Sequence, residues 1–136
     1  DPTEPNPNTD NIQLSNFYES FKTNQQIIEY IDFIPNIIKT VIGYTYENKP
    51  IYLYKKGYTT TKKPILAIIG TQHAREWISP MSCVYILENL YSSIIDKYEL
   101  HIVPVVNPDG YEYSHNTSRN WRKNREPVEN SEPLRY

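Results

Sequence analysis

The chain has 136 residues, a formal net charge of −2, one cysteine and 38% apolar residues. That length suits one domain that buries about two thirds of its unfolded surface without a disulfide staple, and Cys83 has no partner in the sequence to form one. The balance excludes a disulfide-rich toxin, a collagen, a zinc finger built on several cysteines and a sequence-blind nucleic-acid binder, and no apolar run approaches the ~20 residues that span a bilayer.

Residues 1–15 are rich in Pro, Asn and acidic side chains and offer no face to bury, so they read as a flexible lead-in or linker. Asp1-Pro2-Thr3-Glu4-Pro5 looks nothing like a signal peptide. Thr23 followed by Gln26 has the spacing of a capping box, in which each side chain covers the other's free backbone N–H. Ile27, Ile28, Ile31 and Ile34 follow at helical spacing, and Pro35 stops the helix. Thr40 to Tyr46 and Pro50 to Tyr54 are β-like runs, and the polar break Glu47-Asn48-Lys49 between them predicts a hairpin. Pro64 to Gly70 is almost continuously apolar, the composition of a strand covered on both faces.

Ser79-Pro80 reads as a helix start, with an N-cap oxygen followed by a residue that has no N–H to satisfy. Val84, Leu87, Tyr91 and Ile94 make one stripe of that helix. Leu100 to Val106 is another apolar run, closed by the turn signal Asn107-Pro108-Asp109-Gly110. Residues 126–136 lack periodicity and read as an irregular tail. Helix, hairpin, strand, helix, strand is the order of an α/β protein with a mixed β-sheet and crossover helices. Ligands gather at the carboxyl ends of such strands. Two polar segments fall there: Thr71 to Trp77, and Asn107 to Arg125.

The first segment holds His73-Ala74-Arg75-Glu76. An imidazole and a carboxylate three residues apart reach one metal ion from a tight turn, and zinc accepts that mixture of nitrogen and oxygen donors. Taken alone the pattern is short, and a surface ion pair is its plainer reading.

Three longer blocks carry a resemblance. Gly70 to Pro80 is similar to the zinc-binding signature of the zinc metallocarboxypeptidases related to pancreatic carboxypeptidases A and B. Val103 to Tyr111 and Arg119 to Arg125 resemble the next two blocks of that family, in the same order and at the same separation. Phe17 to Tyr54, with Ile42-Gly43-Tyr44-Thr45 and Lys49-Pro50-Ile51-Tyr52, resembles its opening helix and hairpin.

The resemblance implies a carboxypeptidase-like (phosphorylase/hydrolase-like) fold and zinc-dependent hydrolysis of the C-terminal peptide bond of a peptide or protein. It implies that His73 and Glu76 are zinc ligands, that Arg75 and Arg119 line outer substrate subsites, and that Arg122 polarises the scissile carbonyl and holds the oxyanion. It also implies a third histidine ligand, an Asn-Arg pair with an Asp just before it, a closing tyrosine and a glutamate base. None of these has a counterpart in the 136 residues. The expectation is therefore a truncated domain: residues 16–125 as its N-terminal half, inactive alone. A monomer that is secreted or vacuolar, with no nucleic-acid or membrane partner, completes that expectation.

Two other functions compete. One is a non-catalytic carboxypeptidase-like protein that binds a peptide or partner. The other is a zinc acyl-amino-acid hydrolase using the same H-x-x-E turn, which the match at Trp121 to Arg125 disfavours. Plainer readings fit the remaining candidates. His101 lies within a strand, away from its ligand-bearing end, as a surface or core-edge residue. His115 falls in a polar loop and is expected to be solvated. Trp77 and Trp121 read as packing residues, and Cys83 as a small buried apolar one. Asn116-Thr117-Ser118 is a glycosylation sequon on a predicted loop.

Overall fold

A computed structural model describes residues 16–127. The expectations for residues 1–15 and for the tail beyond Pro127 lie outside the described residues.

A short 3₁₀ turn, Asn16–Glu19, leads into α1, Asn24–Asp32. The capping box forms as read. Thr23 Oγ1 accepts the N–H of Gln26 at 3.3 Å, and Gln26 Oε1 accepts the N–H of Thr23 at 2.9 Å. Ile27 and Ile31 enter the core, and the helix closes before Pro35. β1 (Ile38–Tyr44) and β2 (Pro50–Lys56) form the antiparallel hairpin, with Asn48 at φ 61° in its turn.

β3, α2, α3 and β4 span Ile65–Ile69, Ile78–Asn89, Ser92–Ile95 and Glu99–Val103. α4 is Pro108–Asn116. The sheet order is β1-β2-β4-β3. β2 and β4 are antiparallel, whereas β4 and β3 are parallel and joined through α2 and α3. The mixed α/β sheet with a helical crossover is thus the fold the element order predicted.

One core lies against one face of this sheet. Tyr54, Leu100 and Ile102 point from the strands to Ile27, Ile31, Val84, Leu87 and Tyr111 of α1, α2 and α4. Each fully buried aliphatic side chain there contributes about 1.5–3 kcal/mol. Alternation decides what faces the other way. His101 of β4 points outward and bonds Glu99, with Nε2 2.6 Å from the carboxylate oxygen. It is the core-edge histidine that the sequence suggested.

Three sequence expectations require correction. β3 is not covered on both faces. Ile68 packs against the core, but Ile65, Leu66 and Ile69 are 59%, 37% and 56% exposed. β3 is an edge strand whose single neighbour among the described residues is β4, and the helices packed there lie on the opposite face. Composition reports that a strand is apolar, not which of its faces is covered. α2 begins before Ser79-Pro80, with Trp77 at its N-cap. The Ser79 hydroxyl is taken by the N–H of Thr71 at 2.8 Å, so it caps a loop rather than the helix. The proposed stripe breaks after Leu87. Val84 and Leu87 are buried, but α2 stops at Asn89, Tyr91 is exposed, and Ile94 belongs to the separate turn α3.

Candidate functional site

The site is assembled beyond the ends of the two parallel strands. Their coupling continues past the last strand residues: Gly70 N–H donates to Val103 O at 2.8 Å, and Val106 N–H to Gly70 O at 3.2 Å. Gly70 permits this close approach, because a Cβ there would lie 2.6 Å from Cys83 Sγ and 2.7 Å from Pro104 O. Cys83 is the buried apolar filler expected from the sequence, and burial pushes its thiol up to about 11.

The chain then turns sharply at Thr71, whose φ of 53° is rare for a β-branched residue. Tertiary bonds hold it there. Its buried hydroxyl donates to Pro104 O at 2.7 Å, and its N–H is held by Ser79 Oγ. The following turn closes through Glu76 N–H to His73 O at 3.2 Å. That closure brings the two side chains together, with His73 Nδ1 2.9 Å from Glu76 Oε1.

The second polar segment folds onto this turn. Ala74 N–H donates to Arg122 O at 3.0 Å, and Arg122 Nη2 lies 3.3 Å from His73 Nδ1. Arg119 Nη1 donates to Arg75 O at 3.0 Å, while its guanidinium stacks 3.6 Å from the centre of the Trp77 ring. Contacts thus join His73, Glu76 and Arg122 through their side chains, and join Arg119 to the backbone of Arg75. The side chains of Arg75 and Arg122 are exposed, and that of Arg122 lies beside His73.

The sequence misplaced two residues around this site. Asn107-Pro108-Asp109-Gly110 is the start of α4, not an isolated turn. Asn107 is its N-cap, Pro108 opens it, and Asn107 Oδ1 accepts the N–H of Gly110 at 3.0 Å. The signal was present, since Asn before Pro is also a helix-start pattern. His115 consequently lies in a helix rather than a solvated loop. Its ring stacks on Trp77 at 3.9 Å, and its Nε2 is buried without a hydrogen-bond partner among the described residues. Desolvation holds its pKa below 6.5, the Arg119 charge adds to this, and Glu112 opposes it. Trp77 is the packing residue expected, with its Nε1 donating to Ser114 Oγ at 2.9 Å. Asn116 of the sequon is the exposed last residue of α4.

A mixed sheet that presents an imidazole and a carboxylate from one turn at its strand ends defines an α/β protein with a candidate metal site. Comparison with known proteins assigns the family. The family model described as "Zinc carboxypeptidase" matches residues 24–134. Carboxypeptidase B2 of Rattus norvegicus is 34% identical over 126 residues, covering 82% of this chain and 30% of the relative. Carboxypeptidase B of Helicoverpa zea is 35% identical over 130 residues, covering 86% of this chain and 30% of the relative. Among solved structures, bovine thrombin-activatable fibrinolysis inhibitor, in complex with tick carboxypeptidase inhibitor, superposes with a TM-score of 0.75 at 32% identity. That match covers 87% of this chain and 42% of the other. The chain belongs to the zinc carboxypeptidase family. It spans about 30% of the length of the curated relatives it matches.

The residues present fit a zinc ion in part. His73 Nδ1 faces a carboxylate oxygen and a guanidinium at once. One ring nitrogen cannot donate to the first and accept from the second, but a cation can take an electron pair from both the imidazole and the carboxylate. Among the described residues no group of three or more His, Cys, Asp or Glu side chains converges, so the described set offers two ligands. No helix among the described residues is long and apolar enough to cross a membrane.

Proposed function

We propose that this chain is part of a zinc-dependent metallocarboxypeptidase that hydrolyses the C-terminal peptide bond of peptides or proteins. The observation that carries the reading is the convergence of His73, Glu76 and Arg122 at the ends of β3 and β4, in a chain of this family. His73 and Glu76 would hold the metal. When bound, zinc supplies a Lewis acid that polarises a carbonyl and lowers the pKa of a coordinated water.

The chain's own residues supply binding and charge. Arg122 is exposed beside the metal-facing pair, where its guanidinium can donate to a substrate carbonyl and meet the negative charge that grows on its oxygen. An interaction that strengthens only in the transition state accelerates the reaction. Arg119 is fixed by its stack on Trp77 and its bond to Arg75 O, and so can bind substrate without losing much freedom. Arg75, exposed on the same turn, adds a second cation to that rim. The partner is a peptide with a free C-terminus, bound by a monomer.

Two protein ligands leave a tetrahedral zinc half-held. The 136 residues by themselves should therefore bind zinc weakly and show no turnover. The test uses N-acylated dipeptides with zinc added and then chelated. The protein purified from its natural source should show hydrolysis that chelation abolishes, and the isolated 136-residue chain should show none. Absence of chelator-sensitive hydrolysis by the natural protein would overturn the catalytic reading. Such turnover by the isolated chain would overturn the division of the site.

A further inference from the structure

We infer that Asn107 is a positioning residue that sets the His73 turn against the Arg122 loop. Its side chain, 8% exposed, joins three segments at once. Oδ1 caps α4 through the N–H of Gly110 at 3.0 Å. Nδ2 donates to Lys123 O at 3.1 Å, beside Arg122, and to Gln72 O at 3.3 Å, beside His73. Both Nδ2 bonds therefore end one residue away from a group that faces the candidate metal position. An amide is the side chain that does this: it carries one acceptor for the helix N–H and two donors for two carbonyl oxygens.

The surroundings leave no slack. A Cβ on Gly110 would overlap the Lys123 carbonyl oxygen and lie 2.6 Å from Asn107 Nδ2, so the Lys123 backbone sits directly on the start of α4. Trp121 Nε1 donates to the same Lys123 oxygen at 2.7 Å. A few residues away, Ala74 N–H bonds Arg122 O. The two loops are thus pinned at Gln72–Asn107–Lys123 and at Ala74–Arg122. Loss of the first pin frees the second, and with it the separation of His73 from Arg122. The inference rests on the reading of His73 and Glu76 as a zinc pair, because the separation matters to function only if that pair works with Arg122.

The test is Asn107→Asp in the 136-residue chain. The carboxylate keeps the acceptor for Gly110 N–H but faces both carbonyl oxygens with no donor. Amide hydrogen exchange and zinc affinity, the latter by competition with a chromophoric chelator, are both read. Exchange at Ala74 should accelerate at least about tenfold while amides within β4 and α2 keep their rates. Zinc affinity should fall about tenfold, the usual consequence of losing an outer support of a metal ligand. Asn107→Ser is the second variant if the first does not fold, since serine keeps a good cap and is too short to reach both loops. A variant with lower thermal stability but unchanged Ala74 exchange and zinc affinity would overturn the proposal. His73→Ala separates the two readings. If it binds zinc as the parent chain does, the zinc pair is wrong, and acceleration at Ala74 then tests the pin by itself.

Discussion

The N–H of Ala74 donates to the carbonyl oxygen of Arg122 at 3.0 Å, and this bond unites segments that follow different strands. Ala74 is fully buried between two ligand candidates, whereas Arg122 keeps its side chain exposed. Backbone therefore fixes the place of the Arg122 main chain, and the exposed guanidinium keeps one contact from that anchor, Nη2 to His73 Nδ1 at 3.3 Å.

Arg122→Ala should separate activity from stability. In the natural protein, hydrolysis of an N-acylated dipeptide should drop by about 10²–10³ in kcat, the usual cost of losing one oxyanion donor. The thermal midpoint should barely move, because an exposed side chain carries little folding energy. Steady-state kinetics paired with a melting curve checks this. A large loss of stability with kcat preserved would remove Arg122 from the chemistry.

Thr71→Val should destabilise the chain by about 1–3 kcal/mol. The shape is nearly kept, but the buried Pro104 carbonyl loses its donor and the left-handed φ loses one of its two anchors. Urea unfolding would measure it. A change below about 0.5 kcal/mol would mean that the Ser79 contact alone holds the turn.

His115 predicts a pH dependence with a definite sign. Its folded-state pKa is held below 6.5 by burial, so just under that pH the unfolded chain binds more protons than the folded one. Stability then falls as pH drops from about 6.5 toward the depressed value. His115→Phe keeps a ring on Trp77 and cannot titrate. The melting advantage of the variant over the parent should widen between pH 7 and pH 5.5. A constant difference across that range would show that the imidazole does not titrate differently on folding.

Much of this architecture was legible from residue types. Thr23 and Gln26 announce their helix because the capping box is a local device with a fixed spacing, and it forms as read. His73 and Glu76 were legible as a pair because one turn closes the distance between them. What tertiary contact decides was not legible. Ser79 looks like a helix cap by every local rule, yet its hydroxyl serves the strained Thr71 across the loop. The apolar run of β3 is the same whether its outer face is covered or bare. His115 appeared solvated among polar neighbours, and only the helix that Asn107 starts turns it onto Trp77. Arg119 could be picked out from the sequence, but its stack on Trp77 could not, since the two lie on different elements.

Zinc binding by the 136-residue chain tests the central claim most directly. Competition with a chromophoric chelator should give one weak site per chain. Its affinity should fall by at least about tenfold in both His73→Ala and Glu76→Gln, and stay unchanged in His101→Ala. Equal affinity in the parent, His73→Ala and Glu76→Gln would show that the turn after β3 is not the metal site, and would contradict the account.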